Sequence, residues 1–212
     1  MTEIYLVRHG ESKGNLHFQT TGDSLVGIGV LGTDLTEQGK EQIKGTREKL
    51  KGIKFTSIYS SHLARAEESA IIFAEELKLP VNKTERLRER TMGSLQGKRS
   101  AELKEKFKKE YEDLNKLPHE EKMKWKLVSD MENANEAAER MKSILLEISQ
   151  NRPEQTILVV THGALMRFFL MTLGFAKYDE FPSGSFENGG YIKLSVDGNN
   201  FIVSETYKVN KL

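Results

Sequence analysis

Two short motifs in this sequence place a histidine directly after an apolar run. Arg8-His9-Gly10 follows the apolar residues 4–7, and Thr161-His162-Gly163 follows the apolar residues 157–160. Each run predicts a buried strand. Because ligands bind just beyond the carboxyl ends of parallel strands, we expect both histidines at one ligand-binding edge. The glycine after each histidine, Gly163 included, lets the backbone turn sharply and lets a ligand approach.

Two arginines accompany the histidines. Arg8 precedes His9, and a third predicted strand, which ends in Ser60-Ser61, is expected to bring His62 and Arg65 to the same edge. Arginine carries a permanent charge and a planar fork of donors that matches phosphate oxygens. Neutral imidazole is a good nucleophile near pH 7. Such a cluster is suited to phosphoryl transfer, in which one histidine can attack phosphorus while the arginines neutralise the negative charge.

A simpler interpretation has to be weighed against this one. A histidine at a strand end is more often a hydrogen-bonded structural residue than a functional one. The paired arrangement, in which each histidine is followed by glycine and accompanied by arginine, favours a site. It does not by itself name the reaction.

The rest of the chain alternates strands with helices, which predicts an α/β fold. We expect a three-layer sandwich with a mostly parallel central sheet flanked by helices. The predicted helices cover residues 35–50, with Thr36 as N-cap, and residues 62–77, 132–149 and 164–173. We expect a loop over residues 11–34 and a hairpin over 191–207 that turns at 197–199. The Lys- and Glu-rich residues at about 99–130 are expected to form a helical cap inserted into a single domain, 1–212.

Composition excludes several classes of function. The chain has 212 residues and a formal charge of +1, from 32 Lys and Arg against 31 Asp and Glu. This balance gives no reason to expect nucleic acid as a partner. The absence of cysteine excludes disulfides, thiolate catalysis and Cys-ligated zinc. Because we find neither a signal peptide nor a membrane span, we expect a cytoplasmic protein; the oligomeric state stays open.

Five sequence blocks, in order along the chain, resemble the histidine phosphatase superfamily in its phosphoglycerate-mutase-like branch. They are Leu6-Val7-Arg8-His9-Gly10-Glu11-Ser12 with Asn15, Leu35-Thr36-Glu37-Gln38-Gly39 with Gln42, Ser60-Ser61-His62-Leu63-Ala64-Arg65-Ala66, Leu87-Arg88-Glu89-Arg90 with Leu95-Gln96-Gly97-Lys98, and Val160-Thr161-His162-Gly163. A lone Arg-His-Gly is a weak signal, whereas five blocks in order are a strong one.

The resemblance implies a mechanism and a role for each residue. It implies that His9 is the nucleophile that becomes phosphohistidine, in a pocket that Arg8, Arg65 and His162 form with Asn15 as a further contact. It also implies that Glu89 is the general acid and then the base that activates water. On its surroundings alone, Glu89 would be taken for a solvated residue in a charged run. No metal or other cofactor is expected, because the arginines replace it, and the expected partner is a small phosphorylated substrate.

Three departures from the family pattern bear on the branch. Residues 24–32 form an apolar extension, which we interpret either as a lid or wall of the substrate site or as a self-packed surface loop. Glu89 is followed by Arg90-Thr91-Met92-Gly93, where cofactor-dependent mutases usually carry Arg-His-Tyr-Gly. Residues 130–135 stand where many relatives carry Gly-Glu-Ser. The second departure and the short chain favour a phosphatase acting on small monoesters such as sugar phosphates or phosphoglycerate-like compounds. A phosphoglycerate mutase and a non-catalytic phosphate-binding protein are the alternatives.

Overall fold

The computed structural model of the chain describes residues 1–26 and 34–211. Its six-stranded sheet has the strand order β3-β2-β4-β1-β5-β6. The strands are β1 (Thr2–Arg8), β2 (Ser57–Ser61), β3 (Val81–Thr84), β4 (Thr156–Thr161), β5 (Phe186–Asp197) and β6 (Asn200–Val209). The first four run parallel, and β5 and β6 add an antiparallel hairpin at one edge. The prediction of a mostly parallel sheet is confirmed.

Helices cover both faces of this sheet. The α-helices are α1 (Lys13–Thr21), α2 (Glu37–Lys49), α3 (Ala64–Leu77), α4 (Ser100–Lys106), α5 (Lys108–Lys116), α6 (His119–Lys124), α7 (Ala134–Asn151) and α8 (Gly163–Thr172). The predicted N-cap of α2 is confirmed, because the Thr36 hydroxyl accepts the Gly39 N–H. The three-layer sandwich is therefore as predicted.

The apolar runs 4–7 of β1 and 157–160 of β4 are buried on both faces of the sheet. In β1, Ile4 and Leu6 belong to the core that contains α7 and α8. Their neighbours Tyr5 and Val7 belong to the core on the other face, with residues of α2 and α3. Since side chains alternate along a strand, a strand covered on both faces needs an unbroken apolar run. These unbroken apolar runs are the reason why β1 and β4 could be predicted from the sequence.

The prediction of a loop over residues 11–34 is wrong for its first part, where α1 lies. This helix has no buried residue, so it lacks the apolar periodicity that sequence reasoning depends on. It is stabilised instead by a capping box between Ser12 and Asn15, and it ends at Gly22, whose φ is 70°.

The hairpin at the other end of the chain is as predicted. Asp197 pairs with Asn200, and Gly198 adopts a φ of 56° in the turn. Residues 99–130 contain α4, α5 and α6; that they form an inserted cap stays a prediction. Of the apolar extension 24–32, residues 24–26 pair with the backbone of residues 97–100, and residues 27–32 lie outside the described part of the chain.

Two glycines of α2 should respond in opposite ways to alanine substitution. A Cβ on Gly39 would overlap the carbonyl oxygen of Glu11, whereas a Cβ on Gly45 would meet nothing within 4 Å. We expect Gly45→Ala to raise the free energy of unfolding by about 0.5–1 kcal/mol, because alanine favours helix. Gly39→Ala should lower it by about 1–3 kcal/mol, because the loop after His9 must move away. Denaturant unfolding of both variants measures this, and equal effects would contradict the close packing of α2 on that loop.

Candidate active site

The two histidine motifs meet because their strands are neighbours in register. Arg8 pairs with Thr161 across β1 and β4, and the His9 N–H donates to the Thr161 carbonyl at 3.0 Å. The ring centroids of His9 and His162 lie 5.2 Å apart. Strand β2, on the other side of β4, brings Arg65 to the same edge in the first turn of α3. Four predicted site residues thus converge at the carboxyl ends of three strands.

The hydrogen bonds of His9 define which ring nitrogen is free to react. Nδ1 lies 2.7 Å from the Gly10 carbonyl oxygen. Since a carbonyl can only accept, Nδ1 carries the proton and Nε2 carries the lone pair. Nε2 accepts from the Nε–H of Arg65 at 3.1 Å. His9 therefore presents a nucleophilic nitrogen directly against a guanidinium group.

Ser61 is the hydrogen-bond partner of the second histidine, His162. Its hydroxyl lies 2.9 Å from His162 Nε2 and accepts the Leu63 N–H at 3.3 Å. Because a hydroxyl can both donate and accept, this contact is compatible with either tautomer of His162. The other ring nitrogen, Nδ1, is buried without a partner among the described residues. Because an unpaired buried polar atom is costly, this favours a hydrogen-bond partner that arrives with the ligand.

Arg8 has an unpaired donor at the same edge of the sheet. One of its terminal nitrogens donates to the Phe186 carbonyl, while its Nε is buried without a partner among the described residues. A Cβ on Gly163 would approach that Nε to 3.0 Å, so the glycine leaves room for the arginine. Burial, together with the charge of Arg65, lowers the pKa of Arg8 to about 10 despite the opposing charge of Glu89. Arg8 therefore stays charged at neutral pH.

Burial also keeps both histidines neutral. It lowers the pKa of His9 well below its ordinary value of 6.5, and the charges of Arg65 and Arg8 lower it further. The pKa of His162 is lowered by burial and then by Arg65 and His9. A neutral His9 keeps its lone pair in mildly acidic solution, as a nucleophile requires.

This shift predicts how stability depends on pH. The unfolded chain binds protons at these histidines below about pH 6.5 while the folded chain does not, so stability falls as the pH falls. Each histidine that stays neutral in the folded chain therefore lowers the free energy of unfolding as the pH falls from 8 to 5.5. Unfolding of wild type and His9→Gln at pH 8 and pH 5.5 measures this, and the wild type should lose more stability over this range than the variant. Equal losses would show that His9 becomes protonated in the folded chain.

The Glu89 carboxylate lies at the N-terminus of α8. It accepts the N–H groups of Ala164 at 3.2 Å and of Leu165 at 3.0 Å, and its own segment contributes the Arg90 N–H at 3.0 Å. Helix α8 has no side-chain cap from its own N-cap residue, so Glu89 satisfies donors that would otherwise be unpaired. These bonds fix the carboxyl group beside His162 and Gly163.

Asn15 reaches the site from the first turn of α1. Its Oδ1 accepts from the backbone and hydroxyl of Ser12, both at 3.1 Å, and from Asn188 at 3.3 Å. The side-chain oxygen is thereby occupied, which leaves the Asn15 amide N–H groups as the available donors. Asn188 also donates to the His9 carbonyl at 3.1 Å.

A single cleft of about 1070 Å³ contains these groups. Its lining includes Arg8, His9, Asn15, Arg65, Glu89 and Gly163. His162 lies behind them, fully buried. The expectation that His62 joins the cluster is wrong, because His62 is exposed and does not line the cleft. Successive residues at a strand end point to opposite sides, so Ser61 faces the site and His62 faces away.

Two residues of the cleft were not predicted as site residues, although Gln42 belongs to one of the five family blocks. Gln42, whose Oε1 accepts the Glu11 N–H at 2.8 Å, and Asn188 both line it. Asn188 lies in β5, and no sequence motif indicated it.

Within the described residues, no group of three or more His, Cys, Asp or Glu residues could hold a metal ion. No helix there is both long and apolar enough to span a bilayer.

Comparison with known proteins agrees with this geometry. Residues 4–208 match the model of the histidine phosphatase superfamily, branch 1. The chain is 28% identical over 197 residues to phosphoserine phosphatase 1 of Hydrogenobacter thermophilus, which covers 93% of this chain and 88% of the relative. It is 32% identical over 187 residues to the probable phosphoglycerate mutase GpmB of Proteus mirabilis, covering 85% and 79%. The solved structure of Bacillus stearothermophilus YhfR shares the fold, with a TM-score of 0.80, 24% identity and 96% coverage of both chains. The chain therefore belongs to branch 1 of the histidine phosphatase superfamily.

Proposed function

We propose that this phosphatase hydrolyses small phosphate monoesters through a phosphohistidine on His9, without a metal ion. The observation that carries the proposal is the bond from His9 Nδ1 to the Gly10 carbonyl, which leaves the Nε2 lone pair facing the cleft. Arg65 covers this lone pair at 3.1 Å. A phosphoryl oxygen is a charged and stronger acceptor than imidazole, so substrate binding would draw the Arg65 N–H away and free Nε2.

In the first step, Nε2 attacks phosphorus and the P–O bond to the leaving group breaks. The phosphoryl oxygens lie against Arg8 and Arg65, whose positive charges neutralise theirs, and Asn15 donates a further hydrogen bond. The neutral His162 completes the pocket behind them, with its ring centroid 5.2 Å from that of His9. Glu89 gives a proton to the departing oxygen. This assignment is supported by the placement of Glu89 in the lining of the same cleft.

In the second step, water attacks the phosphohistidine. Glu89, now a carboxylate, takes a proton from the water as its oxygen bonds to phosphorus. The P–N bond breaks and its electron pair returns to Nε2, which restores the enzyme and releases inorganic phosphate. One carboxyl group serves as acid and then as base because the two steps are near mirror images.

A panel of phosphate monoesters tests this proposal, with a chelator present throughout. We expect hydrolysis of several esters at rates that the chelator leaves unchanged, because arginines and not a metal neutralise the phosphoryl group. Activity abolished by the chelator and restored by a divalent cation would contradict the mechanism. A parallel mutase assay with a bisphosphate primer separates the alternative, since a mutase would interconvert phosphoglycerates faster than it releases phosphate.

A further inference from the structure

A buried carboxylate lies behind the cleft, between two guanidinium groups. Glu132 is 9% exposed. Its carboxylate accepts from Arg140 Nε at 2.8 Å and Nη2 at 2.9 Å, and from Arg88 Nη1 at 2.8 Å. Burial alone would raise the pKa of Glu132, but the bonds from Arg140 and Arg88 outweigh it and hold the pKa below its ordinary value. None of the three lines the cleft, so their role cannot be contact with substrate.

The three side chains hold the backbone that carries Glu89. Arg140 Nη1 donates to the carbonyl of Arg86 at 2.7 Å and to that of Arg88 at 3.0 Å. Arg88 Nη1 donates to the carbonyl of Glu89 itself at 3.0 Å. The side chains of Glu132, Arg88 and Arg140 form a hydrogen-bonded cluster. Through its arginines, this cluster binds the main chain at Glu89 and at the residues just before it.

The other side of Glu89 is held as well. The Thr91 N–H donates to the Glu132 carboxylate at 3.1 Å, and the Glu132 N–H donates to the Thr91 carbonyl at 3.0 Å. Between the short 3₁₀ turns Glu85–Leu87 and Gly93–Leu95, this segment has no regular structure of its own. Its path therefore depends on side-chain bonds, and Glu132 supplies the charge that holds both arginines in place.

We propose that Glu132, through Arg88 and Arg140, is a positioning residue for the general acid Glu89. This inference rests on the proposed function, in which Glu89 protonates the leaving group. A general acid must lie within hydrogen-bond reach of the oxygen it protonates, and a displacement of about 1 Å can cost a factor of about 100. The phosphate pocket of Arg8 and Arg65 makes no bond to the cluster, so it should be unaffected.

Leaving-group selectivity distinguishes this role from a merely structural one. An alkyl ester needs a proton on its departing oxygen, whereas p-nitrophenyl phosphate releases a stabilised phenolate that does not. We expect Glu132→Gln to lower kcat/KM for an alkyl ester such as phosphoserine or glycerol phosphate, whichever is turned over, by about 10–100-fold. We compare kcat/KM because it includes only the steps up to release of the leaving group, whereas kcat also includes hydrolysis of the phosphohistidine, which Glu89 assists for every ester. The kcat/KM for p-nitrophenyl phosphate should fall far less than that for the alkyl ester, and inhibition by inorganic phosphate should be unchanged.

Glu89→Gln serves as the reference variant and Glu147→Gln as the control. Glu147 lies on the same helix α7 and pairs with Arg86, but its side chain is exposed and holds no backbone of the segment. Glu89→Gln should show the same selectivity more strongly, and Glu147→Gln should behave as wild type. If Glu89→Gln is selective and Glu132→Gln slows both esters equally or neither, the positioning role is wrong and the proposed function stands. If Glu89→Gln is not selective, the assignment of the general acid fails.

Loss of the Glu132 charge leaves two partly buried arginines without their carboxylate partner, which can prevent folding. Arg140→Lys is a milder variant, because lysine keeps the charge beside Glu132 but lacks the planar fork that reaches both the carboxylate and two carbonyls. It should fold and show the same selectivity, about 3–10-fold on the alkyl ester. Equal rates of wild type and Arg140→Lys on both esters would overturn the proposal.

Discussion

His9→Ala is expected to abolish turnover of every phosphate monoester, by roughly 10⁵-fold or more, while the chain stays folded. Loss of a nucleophile removes the covalent route altogether, and the remaining pocket can only bind and orient substrate. The His9 side chain lies at the wall of the cleft, so its removal leaves space open to the ligand. Steady-state kinetics and thermal unfolding of the variant measure the two parts of this prediction.

His62→Ala is the matched control for that experiment. His62 follows the end of β2 as His9 follows the end of β1, but it is exposed and lies outside the cleft. Its removal should leave kcat and KM within about 2-fold of wild type, since surface substitutions seldom affect a site. Residual activity of His9→Ala within about 10-fold of wild type would contradict the assignment of the nucleophile.

Arg65→Ala is expected to give the second-largest loss, about 10³–10⁵-fold in kcat, by analogy with other arginines that neutralise a transferring phosphoryl group. Arg65 contacts the reacting nitrogen of His9 directly. The interaction strengthens as charge moves onto the phosphoryl oxygens, so kcat should fall more than KM rises. Arg65→Lys should recover only part of the rate, because an ammonium group keeps the charge but cannot hold two oxygens at once.

The same variant should change the pH profile. The charge of Arg65 is one of the causes that keep the pKa of His9 low. Without it, His9 becomes protonated at a higher pH, so the acid limb of kcat/KM for Arg65→Ala should move upward. Arg47→Ala, which removes a partly buried arginine that pairs with Glu76 and does not line the cleft, controls for loss of charge. For the rate prediction on Arg65→Ala, a raised KM with an unchanged kcat would be the contradicting result, because it would show that Arg65 only binds substrate.

Much of this site could be predicted because its chemistry follows regular structure. The apolar runs of β1 and β4 fixed the places of His9 and His162, and parallel neighbours end at the same edge. The place of Arg65 could be predicted because it lies in the first turn of a helix that begins just after β2, at the same edge of the sheet. The roles of Glu89 and Asn15 could not be read from their surroundings and came only from the family resemblance.

What the sequence did not reveal depends on contacts between distant segments. Asn188 reaches the His9 carbonyl because β5 pairs antiparallel to β1, a neighbour relation that no local pattern encodes. The bonds of Glu132 to the Glu89 segment span about 40 residues of chain, as in the contact with Thr91. The sequence position of Glu132 had marked only a departure from the family pattern. In the structure, the neighbouring Asn133 caps α7 in a capping box with Glu136.

The central claim is that a phosphoryl group is bound covalently to Nε2 of His9 during turnover. Rapid mixing of enzyme with substrate, a denaturing quench at alkaline pH and mass spectrometry of the digested chain test it most directly. We expect one acid-labile phosphoryl group on the peptide that contains His9, absent from His9→Ala. Its absence during rapid turnover, or its appearance on any other residue, would contradict the phosphohistidine mechanism.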